Sequence, residues 1–145
     1  MSRISKKLIQ NDSKENNMEY VTSKTVNLSY DQAIEKVTEL LKEEGFGVLT
    51  EIDVKDTLKK KLDVDFKKYK ILGACNPNFA HKALQAEDKI GVMLPCNVIV
   101  EEHEDGKVEV SAVNPMASMQ AVSNDNLHSI AGQVRTNLEK VINRL

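Results

Sequence analysis

The sequence predicts a single α+β domain, and three observations carry that prediction. A capped helical period follows a Val- and Thr-rich stretch near the start, an Asp105-Gly106 turn joins two alternating segments, and the chain closes on its most persistent amphipathic period. With 145 residues, 41% of them hydrophobic, there is enough material for one sizeable core. The expected architecture is a β-α-β start, a central mixed sheet with a hairpin, helices packed on it and a long amphipathic C-terminal helix. Residues 1–19 read as a flexible or weakly helical extension, because Gln10, Asn11, Asp12 and Ser13 interrupt any apolar period. Residues 20–145 form the domain.

Tyr20 to Val26 is rich in Val and Thr and reads as a strand. Ser29 followed three residues later by Gln32 is a capping-box pattern, and Tyr30, Ala33, Ile34, Val37, Leu40 and Leu41 recur at helical spacing. Gly45 suits the left-handed position that ends such a helix. Phe46 to Ile52 is the next strand, and a helix over Val54, Leu58 and Leu62 follows. Tyr69 to Cys75 reads as a strand, after which Asn76-Pro77 offers an N-cap with proline at the first helical position of a helix to about Ala86.

Ile90 to Leu94 is a continuous apolar run, the pattern of a strand covered on both faces. Its separation from Cys75 allows a crossover, so these two strands are expected to be parallel. Asn97 to His103 and Lys107 to Val113 flank Asp105-Gly106. A two-residue turn would leave neither face apolar, whereas a three-residue loop Glu104-Asp105-Gly106 pairs Val100 with Val110 and Val98 with Ala112. The longer loop is therefore expected, with His103 on the face opposite Val98 and Val100. Asn114-Pro115 repeats the cap-then-proline device for a short helical turn through Met116 and Met119. Leu127, Ile130, Ala131, Val134, Leu138, Val141, Ile142 and Leu145 mark one buried face of the final helix.

Composition excludes several functions. Charged residues make up 29% but the formal net charge is only -2, so there is no global field for a polyanion. Lys55 to Lys70 holds seven lysines and three aspartates. On a helical wheel Lys59 and Lys60 point away from the Val54, Leu58 and Leu62 arc, which makes this stretch a solvated face and not a nucleic-acid surface. No run reaches the roughly 18 to 20 apolar residues of a membrane helix. Met1 to Asn17 lacks the apolar region of a signal peptide. Two cysteines are too few for a disulfide framework, which fits a soluble, cytoplasmic protein.

Those cysteines are the informative constellation, as Cys75-Asn76-Pro77 and Pro95-Cys96-Asn97. Both end or border predicted strands, so the fold can make them neighbours. Cys75 precedes a helix N-terminus, whose partial positive charge favours thiolate. Against this, free cysteine often packs as a small hydrophobe. His81 is the third candidate, although the wheel points it away from the arc of Phe79, Ala80, Ala83 and Leu84. His128 reads as a helix-flank residue. Met116 and Met119 could offer thioether sulfur to a soft metal, but methionine more often fills core space. No zinc spacing, phosphate loop, dinucleotide fingerprint or nucleophile elbow is present. The acid pairs Glu101-Glu102 and Glu104-Asp105 read as a solvated hairpin tip.

The ordered run Gly73-Ala74-Cys75-Asn76-Pro77, then Ala80-His81-Lys82-Ala83-Leu84, then Ile90 to Val98 with Leu94-Pro95-Cys96-Asn97, resembles the central signature of the bacterial and archaeal "domain of unknown function 302" family. The resemblance extends from Tyr20 to Leu145. It implies a compact, dimeric α+β domain with a sheet backed by helices, places Cys96 in a Leu-Pro-Cys-Asn turn, and brings no settled activity.

The sequence therefore points first to a small-molecule or soft-metal site, or a thiol redox sensor. Cys96 would be the thiolate, Cys75 the second ligand or resolving thiol, His81 a further ligand, and Asn76 and Asn97 the polar groups that orient the bends. The alternative is a homodimerising interaction module with both cysteines in the core, using the apolar face of the last helix. An enzyme is the weakest reading, since no nucleophile, base and orienting group assemble from sequence. No cofactor is specified.

Overall fold

Ser29 closes the expected capping box. Its Oγ accepts from the Gln32 N–H at 3.1 Å, and its own N–H donates to Gln32 Oε1 at 3.1 Å. In this computed structural model, which describes residues 19–145, the helix that follows is α1 (Tyr30–Glu43), and it buries Ala33, Val37, Leu40 and Leu41. It stops where Gly45 adopts φ 86°. Residues 1–18, which make up nearly all of the expected extension, lie outside the described residues.

Five strands form one sheet: β1 (Val21–Val26), β2 (Gly47–Asp53), β3 (Tyr69–Cys75), β4 (Cys96–Glu102) and β5 (Val108–Val113). Their order is β1-β5-β4-β3-β2, and every neighbouring pair is antiparallel. The remaining helices are α2 (Val54–Leu62), α3 (Pro77–Ala86), α4 (Pro115–Ser118) and α5 (Asp125–Asn143).

The sheet is thus not mixed, and the parallel pair expected between Tyr69–Cys75 and Ile90–Leu94 does not exist. Residues Asp88–Met93 coil into a 3-10 helix. Only Ile90 of this apolar run is buried, at 1% exposure, while Val92 is 85% exposed, so the run is not a strand covered on both faces. The chain then enters β4 at Cys96, opposite Ala74. The segment after β3 is therefore a return to the same end of the sheet, with α3 inserted, and antiparallel pairing follows.

The hairpin has the expected three-residue loop. Val100 pairs with Val110 and Val98 with Ala112, Gly106 has φ 84°, and the His103 N–H donates to Lys107 O at 2.8 Å. One sheet face then presents Leu72, Ala74, Val98, Val100, Val108, Val110 and Ala112 to α1 and α5. The other face carries Ser23 and Ser111, whose hydroxyls meet at 2.7 Å, together with Ile71, Ile99, Glu101 and Glu109.

Buried side chains divide into two clusters. The larger lies between the sheet, α1 and the C-terminal half of α5, with Val134, Leu138, Val141 and Ile142. The smaller gathers Ala83, Ile90, Met119, Leu127 and Ala131. Helix α5 spans both. Its start is fixed by Asn124, whose Oδ1 accepts from the Asn126 and Leu127 N–H groups at 3.1 and 3.2 Å, while Nδ2 donates to Ala86 O at 2.8 Å. Its end is held by Lys24, whose Nζ donates to Leu145 O at 2.6 Å.

Helix α2 buries no residue. Its lysines pair locally, Lys59 with Asp63 at 3.1 Å and Lys60 with Asp56 at 3.0 Å. Equilibrium denaturation of Leu138→Ala, which empties a fully packed site, is expected to show a loss of about 2–5 kcal/mol. Lys60→Ala is expected to stay within about 0.5 kcal/mol of the parent. A large loss in Lys60→Ala would contradict the solvated placement of α2.

Candidate functional site

Between the two clusters the packing does not close. A cavity of about 300 Å³ opens there, walled by Phe46, Leu49, Ala74, Cys75 and Asn76 from the sheet end, by Phe79, Ala80, Ala83 and Leu84 from α3, by Leu94, Pro95 and Cys96 from the return, and by Pro115, Met119, Leu127, Ile130, Ala131 and Val134 from α4 and α5 and the loop between them. Interiors normally pack to the density of organic crystals. Here Ala74, Ala80, Ala83 and Ala131 occupy wall positions where larger side chains would fill the seam.

Local structure aims several wall groups. The register of β2 on β3 slips between Val48 and Thr50, so Leu49 is the extra residue of a bulge and points along the cavity rim, 68% exposed. Asn76 caps α3 through Oδ1, which accepts from the Phe79 N–H at 3.3 Å. Gly73 permits the close approach behind this rim, since a Cβ there would lie 2.8 Å from Pro95 Cγ and would also strike Thr50 Oγ1. The Leu94-Pro95 peptide is cis.

The expected site residues separate into two groups. Cys75, Cys96 and Asn76 share the cavity wall, whereas His81 and Asn97 are exposed and do not line it. Cys75 is half-buried and Cys96 is buried. Burial, with a smaller contribution from Cys75, pushes the Cys96 thiol up from 9.0 to about 11. That opposes the expected thiolate role, because Cys96 stays protonated at neutral pH. Met119 is a wall residue, while Met116 packs on α5, its Sδ 3.8 Å from where a Gly132 Cβ would stand. His128 is half-buried off the cavity, with Nε2 shielded and without a hydrogen-bond partner among the described residues.

Sequence reasoning missed Phe46, Leu49, Leu94, Leu127, Ile130 and Ala131 as site residues. The signal that could have found part of the wall is the small residue at buried periodic positions: Ala83 on α3 and Ala131 on α5 hold places that leucine would ordinarily fill. Among the described residues no charged side chain lines the cavity. Chemically, such a chamber offers an apolar guest a largely apolar wall, one side-chain amide, two thiols and the Met119 thioether.

Among the described residues no helix is long and apolar enough to cross a membrane. No curated protein matches the chain. Among solved structures, the uncharacterized conserved protein DUF302 from Bacillus stearothermophilus is similar, at 28% identity and a TM-score of 0.81, over 86% of this chain and 97% of that one. The family model described as domain of unknown function DUF302 matches residues 22–145, which takes in β1 from its second residue, the other four strands, both cysteines and the cavity wall, and the chain belongs to that family.

Proposed function

We propose that this protein binds a small, mainly apolar molecule in the seam between its two core clusters, with Asn76 and Cys75 as the polar contacts. One observation supports the reading above others: a chamber of about 300 Å³ whose wall carries no ionised group. Its volume falls at the lower end of the roughly 300–1,000 Å³ usual for ligand pockets, and its apolar wall with few convergent polar groups follows the same pattern.

The soft-metal and thiol-redox readings draw less support from the same wall. Each needs thiolate, and raising Cys96 from 9.0 to about 11 adds about 3 kcal/mol to the cost of deprotonation. Cys96 acts in our reading as an apolar wall. The interaction-module alternative relied on the α5 face of Leu127, Ile130, Val134, Leu138 and Val141; four of those side chains are buried in the cores of the protomer itself, and Ile130 packs against the larger core while partly exposed.

Native mass spectrometry and solvent extraction of protein from its own host are expected to find an apolar molecule. Ala131→Leu and Ala83→Leu, which fill the chamber from two helices, should reduce its retention at least about tenfold, a 1.4 kcal/mol effect, while the circular dichroism spectrum is kept. If both filled variants retain the parent's complement, or if the parent carries none and takes up no apolar probe such as a medium-chain alcohol, the reading fails.

The thiols give a separate check. Because the folded Cys96 thiol titrates above its ordinary value, its contribution to stability is complete below about pH 9 and is lost as pH rises through about 11. The parent should therefore lose about 3 kcal/mol across that window relative to Cys96→Ala. Tyr30, also pushed up by burial, to about 12, is common to both proteins and cancels in the difference. In the folded protein iodoacetamide should label the half-exposed Cys75 well before Cys96, as peptide mapping would show.

A further inference from the structure

On the sheet face opposite the cavity cores, Glu101 of β4 stands directly across from Glu109 of β5. His103 follows two residues along from Glu101. One ligand atom from each of these three side chains lies within 4.8 Å of the others, and all three residues are half-buried. Directly opposed like charges destabilise an antiparallel pair, so this register needs a cation. Two partial substitutes are present. Lys67 Nζ donates to Glu101 Oε1 at 2.7 Å, and His103 Nε2 meets Glu109 Oε1 at 2.9 Å.

We infer that Glu101, His103 and Glu109 form a binding site for a divalent first-row transition ion, which enters by displacing the Lys67 ammonium from Glu101. The spacing can admit such an ion. Metal–nitrogen and metal–oxygen bonds of about 2.1 Å put two ligand atoms about 3.0 Å apart at a right angle and about 3.4 Å apart at the tetrahedral angle zinc favours, so the 2.9 Å between His103 and Glu109 needs to open by at most about 0.5 Å. The third carboxylate needs a shift of less than about 2 Å to complete one face of the ion. One imidazole with two carboxylates selects zinc, manganese, iron or cobalt over calcium and magnesium, which prefer oxygen alone. The ligands sit on paired strands next to a three-residue loop, so binding requires little ordering of the backbone. This site is independent of the cavity.

Lys67 makes the inference sharply testable. In a merely structural ion-pair cluster, removing the lysine harms the cluster; at a metal site, it removes a competitor. Isothermal titration of the full chain with zinc chloride is expected to give one equivalent bound. His103→Ala and Glu109→Gln should each weaken it at least about tenfold, and Lys67→Ala should tighten it roughly twofold to fivefold. Cobalt(II) bound in place of zinc should show no sulfur-to-metal charge transfer and should broaden the NMR amide signals of the β4–β5 hairpin. Absence of stoichiometric zinc binding in both the parent and Lys67→Ala would overturn the inference. So would a cobalt complex with sulfur charge transfer that Cys75→Ala abolishes, which would place the ion at the thiols instead.

Discussion

Everything in this fold turns on α5 having to serve two cores with one apolar face. Its C-terminal half, from Val134 to Ile142, packs with the sheet and α1, while Leu127 and Ala131 close a second cluster with Ala83, Ile90 and Met119. Its position is set by tethers at its two ends. Asn124 binds the start to the last turn of α3, and Lys24 of β1 holds the final carbonyls. With the helix pinned at both ends, the seam between the clusters is fixed in width. The four alanines around it leave the seam as space.

That arrangement also explains the asymmetry of the two thiols. Cys96 opens β4 opposite Ala74, on the face turned to the core, and loses water as the cluster forms. Cys75 is the last residue of β3, next to the Asn76 cap, and keeps partial access. Two residues that look equivalent in the sequence, each followed by asparagine, thus have different environments. Strand position sets that difference.

Most of the architecture was legible because it is local. The Ser29 box, the Gly45 stop, the Asn76-Pro77 and Asn114-Pro115 caps and the α5 period each depend on residues within a turn or two, and each appears where the sequence places it. The hairpin loop was legible for a different reason, since only one register gives β4 and β5 a common apolar face. Ile90–Leu94 misled because a short apolar run reads alike in a buried strand and a coiled segment, and the exposure of Val92 depends on tertiary neighbours that no window contains. The cavity was legible only in fragments. Cys75, Cys96 and Asn76 were found from their spacing, but a void is a relation between distant elements, and Ala83 and Ala131 look like ordinary helix residues until α3 and α5 are laid side by side. His81 and Asn97 were chosen for chemistry at a sequence distance, and the helix turn and strand alternation direct both outward.

The same alternation gives β4 two separate roles. Cys96, Val98 and Val100 point inward, and Ile99 and Glu101 point to the opposite face, with His103 continuing that side into the loop. A three-residue loop brings Glu101 opposite Glu109 by the same step that brings Val100 opposite Val110. Had the chain turned in two residues, Glu102 would have stood opposite Glu109 in place of Glu101, and the valines would have been split between faces. Either turn opposes two carboxylates, but only the three-residue loop gives the valines a common face, and the repulsion of Glu101 and Glu109 is a cost that those inward-facing valines, all but inaccessible to solvent, are large enough to offset. Lys67 and His103 reduce that cost from two sides without a shared ligand. An ion that met both carboxylates at once would remove it more completely, which is why the hairpin register, and not any motif spacing, is the physical argument for a site on the outer face.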